Sequence, residues 1–229
     1  MYELFIGNKN YSSWSMRPWV LMRALGIPFR EHLKPFHLNH GEGSFKRFSP
    51  SGRVPVLVDG DVKVWDSLAI VEYLAERHEE VWPADARARA WARSAAAEMH
   101  SGFADLRTQC SMSVGVRVRL HHLSDELLAD LRRLTELWGD GFMRHGGPFL
   151  AGRAFTAVDA FFAPVAARVQ TYGLHLPRDA MSYVERLLAQ PAVREWIEAG
   201  IAETFRDAAH EEEIRGHGDI VQDMRATHT

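Results

Sequence analysis

The hydrophobic pattern of this chain changes character once, near residue 80, and that change most constrains the fold. Before it, four short apolar runs have strand character: residues 2–7, 29–34, 54–58 and 62–65. Two stretches have helical spacing: residues 15–25 and 66–78. The order is strand, helix, strand, then strand, strand, helix. It predicts an α/β domain over residues 1–79 with βαβ-ββα order.

The second half of the chain has a helical pattern throughout. It follows a proline-containing linker at residues 80–86 and begins with an Ala- and Arg-rich stretch. Helices are predicted at residues 87–113, 124–144, 156–171, 180–189 and 191–203. No strand pattern stands out, so we expect an all-α domain over residues 87–203. Residues 204–229 are polar, and we expect a C-terminal tail whose last dozen residues are mobile or loosely docked.

Composition excludes several classes of protein. The 229 residues carry a formal net charge of −3, which gives no general drive toward nucleic acid or membrane lipid. The single cysteine, Cys110, cannot form an internal disulfide, which suits a reducing compartment. No apolar run is long enough to cross a membrane, and the N-terminus lacks a signal-peptide pattern. We therefore expect a cytoplasmic protein, and the twelve histidines show no metal-binding motif.

Three serines lie at the junction between the first predicted strand and the first predicted helix, in the stretch N-Y-S-S-W-S-M-R-P-W. Pro18 is tolerated only in the first helical turn, so the helix should start near Ser15 or Met16. A helix N-terminus stabilises an anion, and a serine hydroxyl can donate a hydrogen bond to a thiolate. The alternative is that a serine merely caps the helix. We expect Ser15 to be the cap, with Ser12 and Ser13 upstream in the turn.

Two further motifs in this half can contact an extended, zwitterionic ligand. Pro55 interrupts an apparent strand, and a cis Val54–Pro55 bond would leave the backbone of Val54 free to pair with a peptide. An ordinary trans proline on an edge strand is the alternative. Asp66 and Ser67 open the second helix, where they can bind an amino group and a carboxylate. Simple N-capping is the alternative there.

Taken together and in this order, the motifs S-S-x-S-x-R, V-P and D-S-L-A-I-V-E-Y-L resemble those of cytosolic glutathione S-transferases. The resemblance covers residues 1 to about 203, and it implies a thioredoxin-like N-terminal domain and glutathione as co-substrate. The closest classes are the Ser-type ones, zeta-like or an unassigned bacterial class. In these, Ser12 or Ser13 would hydrogen-bond the glutathione sulfur, and the spacing back from Arg17 narrowly favours Ser12.

The same resemblance implies roles for the other motif residues. Val54 would pair with the cysteinyl backbone of glutathione, before a cis Pro55. Asp66 and Ser67 would hold the γ-glutamyl end. The glycyl carboxylate would meet Arg53 or Lys34.

One departure concerns position 14. Trp14 replaces the cysteine of the zeta-like motif, which counts against zeta-type isomerase activity.

The resemblance also implies a homodimer, because members of the family usually pair as homodimers.

The predicted function is conjugation of glutathione, as its thiolate, to a hydrophobic electrophile. The acceptor pocket is expected between the domains, against the helix at residues 87–113. Its candidate wall residues are Trp14, Met99, Phe103, Arg107, Cys110 and Met112. Two alternatives remain: a glutathione-dependent cis–trans isomerase resembling maleylacetoacetate isomerase, and a non-catalytic module that binds glutathione or a partner protein.

Overall fold

A computed structural model describes residues 1–226 of the chain. The first half is built on a four-stranded sheet, whose strands are β1 (Tyr2–Ile6), β2 (Phe29–Leu33), β3 (Val56–Asp59) and β4 (Val62–Trp65). The order across the sheet is β2-β1-β3-β4, with β1 parallel to β2 and antiparallel to β3. A parallel pair needs a crossover connection, and α1 (Ser13–Ala24) supplies it. β3 and β4 form an antiparallel hairpin, followed by α2 (Ser67–Ala75). The predicted thioredoxin-like βαβ-ββα arrangement is confirmed.

The second half is mainly helical. Its helices are α3 (Ala86–Ser101), α4 (Ala104–Gln109), α5 (Asp125–His145), α6 (Ala157–Tyr172), α7 (Arg178–Ala189), α8 (Pro191–Ala202) and α9 (Ala208–His217). Single 3-10 turns at Phe36–Leu38, Gly41–Gly43, Phe45–Arg47 and Glu79–Val81 lie in the connections. α6 is buried along almost its whole length and packs against α1, α3 and α7. The contact of α6 with α1 joins the two halves directly behind the serine-rich turn.

The predicted helix over residues 87–113 is in fact two helices. α3 ends at Ser101, and Phe103 adopts a left-handed backbone conformation with φ 53°. Gly102 allows the break, since a Cβ at this position would lie 2.9 Å from the backbone oxygen of Glu98. After the short α4, residues 110–115 are not helical. The break changes which side chains of this segment can face the space between the two halves.

The expectation that the second half contains no strand was wrong. β5 (Val116–Leu120) pairs antiparallel with β6 (Gly218–Asp223), and the register shifts between Arg117 and Val118. The sequence V-R-V-R-L does alternate apolar and polar residues, as a half-buried strand should. Its partner lies about a hundred residues further along the chain, so no local turn signal marks the pair.

The expectation of a mobile or loosely docked tail was also wrong for the described residues up to 226. Besides β6, the tail contains α9, whose Glu211 forms an ion pair with Arg225. Tyr11, in the turn before α1, donates a hydrogen bond to the same Glu211 carboxylate at 2.6 Å. The hydrogen bond from Tyr11 joins this segment to the first half, and the pairing of β6 with β5 joins it to the helical half. The buried ion pair holds α9 against the end of the segment itself. Residues 227–229 lie outside the described part.

Within residues 1–226, no helix combines the length and the apolar character that crossing a bilayer requires.

Candidate active site

The serine-rich turn is arranged differently from the sequence-based expectation. Ser12, not Ser15, is the N-cap of α1: its Oγ accepts a hydrogen bond from the Ser15 backbone N–H at 3.3 Å. The Ser12 hydroxyl also donates its hydrogen to Ser15 Oγ at 2.8 Å. Ser15 is fully buried and accepts from the Gly7 backbone N–H at 3.2 Å. The one hydroxyl hydrogen of Ser12 is therefore used in a hydrogen bond within the turn.

Ser13 is the first residue of α1, and its hydroxyl is used differently. Its Oγ accepts a hydrogen bond from Nη2 of Arg168 on α6, at 3.4 Å. Its own hydrogen is not donated to any acceptor among residues 1–226. The side chain stands at the positive end of α1, where a negative charge is stabilised. Ser13 thus has a donor free for a ligand, whereas Ser12 does not.

A carboxylate from the far end of the helical half holds the turn in place. Glu203 Oε1 accepts from the Lys9 backbone N–H at 2.6 Å, and Oε2 accepts from the Asn10 backbone N–H at 3.2 Å. Asn8 contributes a third hydrogen bond at 3.4 Å. Burial raises the pKa of Glu203, while these donors act in the opposite direction. Sequence reasoning missed Glu203, because nothing local marks a partner 194 residues away.

The second predicted motif lies close to the serine turn. The Val54–Pro55 peptide bond is cis. Neither the N–H nor the C=O of Val54 forms a hydrogen bond with another of residues 1–226. Ser49 steadies the preceding residue, since its Oγ donates to the Arg53 carbonyl at 2.6 Å and accepts from the Arg53 N–H at 3.1 Å. The Val54 backbone is therefore available to a ligand.

The third predicted motif opens α2. Asp66 is the N-cap, and its Oδ1 accepts from the Leu68 backbone N–H at 2.8 Å. Its backbone has φ 78°, a conformation that costs a non-glycine residue about 1–3 kcal/mol and is found mostly at functional sites. Ser67 is buried, and its Oγ accepts from Arg17 Nη1 at 3.4 Å. The other carboxylate oxygen of Asp66 lies 3.4 Å from Nε2 of His100 on α3.

These motifs line a cavity of about 420 Å³. Its lining residues are Trp14, Ser51, Arg53, Val54, Pro55, Trp65, Asp66, Ser67 and His100. Five of the six predicted glutathione-binding residues are therefore in one place. The sixth, Lys34, is not: its Nζ lies 5.7 Å from the centre of the Phe5 ring and 5.8 Å from that of Phe48. The structure adds His100, Trp65 and Ser51, which the sequence motifs do not indicate.

A larger cavity of about 590 Å³ adjoins the first, and Trp14, Arg53 and Val54 line both. Ser12 and Ser13 lie in its wall. The other lining residues are Tyr11, Phe36, Asn39, Phe45, Gly52, Ala104, Arg107, Thr108, Ser111, Met112, Arg168, His210 and Glu213. They come from both halves of the molecule, and α9 supplies His210 and Glu213.

The predicted acceptor-pocket residues divide into two groups. Trp14, Arg107 and Met112 line the larger cavity. The other three do not line this cavity but are buried in the hydrophobic core: Phe103, Cys110 and Met99. The reason is the break after α3, which turns the following short helix so that Arg107 and not Phe103 reaches the cavity. Burial raises the pKa of Cys110 to about 12, which keeps its thiol protonated at neutral pH.

Three arginines surround the serine turn, and sequence reasoning gave only Arg107 a place in the site. Arg17 and Arg168 are almost completely buried. Burial, and then the charges of Arg168 and Arg107, lower the pKa of Arg17 to about 9, so its guanidinium stays charged at neutral pH. Burial lowers the pKa of Arg168 to about 10. A single arginine in the otherwise apolar run A-F-F-A-P-V-A-A-R-V of α6 is a signal that could have been noticed.

Trp14 lies close to two of these arginines. Its ring centre lies 4.3 Å from the Arg17 guanidinium carbon and 5.3 Å from that of Arg107. The face of an indole interacts favourably with such cations. Among residues 1–226, arginine ion pairs are formed by other arginines, and no carboxylate pairs with Arg17, Arg107 or Arg168.

No group of three or more His, Cys, Asp or Glu side chains within residues 1–226 is placed to hold a metal ion.

Both halves of the chain match the models of a known protein family. Residues 11–77 match the glutathione S-transferase N-terminal domain model, and residues 84–199 match the glutathione S-transferase C-terminal domain model. The chain belongs to the glutathione S-transferase family. The family resemblance deduced from the sequence is thereby confirmed. The C-terminal segment that contributes His210 and Glu213 lies beyond both matched ranges.

Individual relatives of this transferase are distant. Glutathione S-transferase 1 of Dianthus caryophyllus is 25% identical over 189 residues, which cover 76% of this chain and 80% of that protein. Glutathione S-transferase Z1 of Arabidopsis thaliana is 37% identical over 91 residues, covering 36% of this chain and 40% of that protein. A solved glutathione transferase homologue from Burkholderia, with bound glutathione, has a TM-score of 0.65 and 23% identity. The match covers 87% of this chain and 97% of that one, so the transferase shares its fold.

Proposed function

We propose that this transferase activates the thiol of glutathione with the Ser13 hydroxyl and transfers the sulfur to an electrophile in the larger cavity. The choice of Ser13 rather than Ser12 rests on one observation. The Ser12 hydroxyl donates to Ser15, whereas the Ser13 hydroxyl accepts from Arg168 and keeps its hydrogen for a ligand. This reverses the narrow preference for Ser12 that the motif spacing suggested.

The smaller cavity supports a placement for glutathione itself. The unpaired backbone of Val54, before the cis Pro55, suits the cysteinyl residue, because an extended peptide pairs with a free N–H and C=O. Asp66 and Ser67 suit the γ-glutamyl amino and carboxylate groups at the start of α2. Arg53 lines the same cavity and suits the glycyl carboxylate, whereas Lys34 does not line it. This placement brings the sulfur toward the cavity that Ser13 lines.

The charges around Ser13 favour the ionised thiol. A hydrogen bond from the hydroxyl, the positive end of α1 and the guanidinium of Arg168 all stabilise a thiolate relative to a thiol. The thiol proton leaves to solvent, and Ser13 donates only a hydrogen bond. A sulfur lone pair then forms a bond to the electrophilic carbon, and the leaving group departs with its bonding electrons. A thiol pKa lowered by about two units makes the thiolate the main species near neutral pH.

The thiol pKa of the bound glutathione is the quantity to measure. It is obtained from the ultraviolet absorbance of the thiolate as a function of pH, in the wild type and in Ser13→Ala. We expect Ser13→Ala to raise that pKa by about one to two units and to lower kcat/KM for 1-chloro-2,4-dinitrobenzene by about ten- to a hundredfold, as expected for a lost hydrogen bond to a charged group.

Ser12→Ala is the matched control for this assignment. An unchanged thiol pKa in Ser13→Ala, together with a raised one in Ser12→Ala, would assign the sulfur contact to Ser12. If neither variant alters the thiol pKa, the Ser-type mechanism is wrong.

The isomerase alternative rests on the similarity to the Arabidopsis Z1 protein over 91 residues. It is separated from conjugation by following a cis-unsaturated diketo acid, since isomerisation consumes no glutathione. Retention on a glutathione column without reaction of any electrophile would instead favour a binding module.

A cytoplasmic homodimer completes the proposal. Family membership supports both features, and the dimer is tested by sizing at micromolar concentration, where a monomer would count against it.

A further inference from the structure

The side chains that line the larger cavity include more arginines than carboxylates. Arg53, Arg107 and Arg168 line it, and Glu213 is its one carboxylate among residues 1–226. Glu213 is exposed, and its Oε2 accepts from Ser111 Oγ at 2.8 Å. Buried or half-buried charges are normally paired, so the shortage of carboxylates points to a ligand that supplies one.

The arginines differ in how far this chain and glutathione already satisfy them. Arg17 lines neither cavity, although its Nε is also buried with no partner among residues 1–226, and Asp66 partly offsets its charge. Arg53 lines the smaller cavity, where the glycyl carboxylate is placed. Arg168 donates to the Cys110 carbonyl at 2.8 Å and to Ser13, beside the proposed position of the sulfur. These three are each assigned a negative partner.

Arg107 is the arginine left without one. Its Nη1 donates to the His100 carbonyl at 3.3 Å, and its Nε is buried with no partner among residues 1–226. It is half-buried, lines the larger cavity and lies against Trp14, which also faces Arg17. A guanidinium with unused N–H groups matches a carboxylate in geometry as well as charge.

We propose that the electrophilic substrate carries a carboxylate that binds Arg107, with Arg168 adding to the positive field of the cavity. The inference rests on the proposed transferase function and narrows its substrate class. The acceptor has an apolar part, which meets Trp14, Phe36 and Met112, and an acidic group held at Arg107. Holding the acid there fixes the orientation of the reacting carbon relative to the thiolate.

A pair of aryl chlorides of the same shape tests this directly. These are 4-chloro-3-nitrobenzoate and 4-chloro-3-nitrobenzamide, each conjugated to glutathione with loss of chloride. Each kcat/KM is divided by the uncatalysed rate constant, which removes the difference in intrinsic reactivity. We expect this normalised value to favour the acid by about tenfold, the size of one hydrogen bond to a charged group.

Two variants should move that preference in opposite directions. Arg107→Gln should abolish it, because the carboxylate loses its cation. Glu213→Gln should increase it, because the one opposing carboxylate becomes neutral while the bond from Ser111 can persist. Arg119→Gln is the control, since its side chain is 73% exposed on β5 and away from both cavities. Misfolding would lower both rates and could not produce opposite changes in their ratio.

Equal normalised values for acid and amide in the wild type, or a preference that survives Arg107→Gln, would overturn the inference and leave the transferase function standing. Failure of the function gives another result: glutathione binds by calorimetry, but neither aryl chloride reacts. In that case the carboxylate site is judged from the affinities of the two S-aryl glutathione conjugates. Tighter binding of the acidic conjugate, lost in Arg107→Gln, supports it, and equal affinities overturn it.

Discussion

Nη2 of Arg168 donates a hydrogen bond to Ser13 Oγ at 3.4 Å, across a separation of 155 residues. The contact places a buried cation from the helical half on a hydroxyl at the positive end of α1. Because Arg168 also holds the Cys110 carbonyl, at 2.8 Å, its guanidinium cannot swing away from that position without losing a bond. The site therefore depends on the packing of α6 against α1 as much as on the serine motif.

The first prediction concerns this cation. Arg168→Gln should raise the thiol pKa of bound glutathione, because a nearby positive charge lowers that pKa and its removal reverses the effect. The acid limb of the kcat/KM profile should move to higher pH by roughly one unit. Arg168→Lys keeps a charge and should give a smaller shift. The control is Arg194→Gln, an exposed residue on α8. A profile of Arg168→Gln that superimposes on the wild type would contradict the role given to Arg168.

The second prediction separates the helix-capping role of Ser12 from the catalytic role proposed for Ser13. Ser12 is the N-cap of α1, so Ser12→Ala should lower the free energy of unfolding by about 1 kcal/mol. Ser12→Asn keeps a capping acceptor and should lose less. Urea unfolding followed by circular dichroism measures both. Ser94→Ala, an exposed position within α3, is the reference substitution, and an equal loss there would show that Ser12 has no capping role.

The third prediction tests the docking of the C-terminal segment. Glu211 forms one ion pair with Arg225, whose side chain is 4% exposed, and another with Arg215, whose side chain is 63% exposed. Glu211→Gln leaves Arg225 with Asp223 as its one ion-pair partner among residues 1–226 and should cost about 3 kcal/mol of unfolding free energy. Arg215→Gln removes the exposed pair and should cost less than about 1 kcal/mol. Similar losses of unfolding free energy in the two variants would mean that burial of the ion pair with Arg225 adds nothing to stability.

Glu211→Gln should have a functional effect as well. α9 supplies His210 and Glu213 to the larger cavity, so loosening it should raise KM for the acceptor more than KM for glutathione. Steady-state kinetics with each substrate varied in turn measures this. A rise in KM for glutathione alone would mean that α9 does not contribute to binding of the acceptor.

The fourth prediction concerns the single cysteine. Cys110 is fully buried, and burial raises the pKa of its thiol to about 12. At pH 8 only about one thiol in ten thousand is ionised, so alkylation should be negligible in the folded protein. We expect iodoacetamide to label Cys110 only after unfolding in urea, as followed by mass spectrometry. Rapid labelling of the native protein, or loss of activity on labelling, would contradict this placement.

Much of the fold follows from local pattern. The alternation of strands and helices before residue 80 and the helical spacing after it each depend on residues within a few turns of one another. At the start of α6, Thr156 and Asp159 form a capping box, which is local in the same way. The motifs of the proposed glutathione site are also local, because Val54–Pro55 and Asp66–Ser67 would each act through their own backbone.

Most of the errors come from contacts between residues far apart in the sequence. β5 and β6 form only because segments about a hundred residues apart pair, and no property of either segment identifies the other. The same holds for Glu203 at the turn before α1 and for Glu211 with Tyr11 and Arg225. Phe103 and Cys110 were misplaced because α3 ends at Ser101, and the left-handed backbone of Phe103 then redirects the chain into α4.

The family, the order of strands and helices in the first half and the position of the serine turn could all be deduced from the sequence, since these depend on contacts within short segments. The proposed choice of Ser13 over Ser12 instead rests on the tertiary structure. That choice depends on one hydrogen atom: the Ser12 hydroxyl uses its own inside the cap, and Ser13 keeps its own because Arg168, brought in by α6, donates to it. A contact set by the packing of two distant helices cannot be deduced from either helix alone.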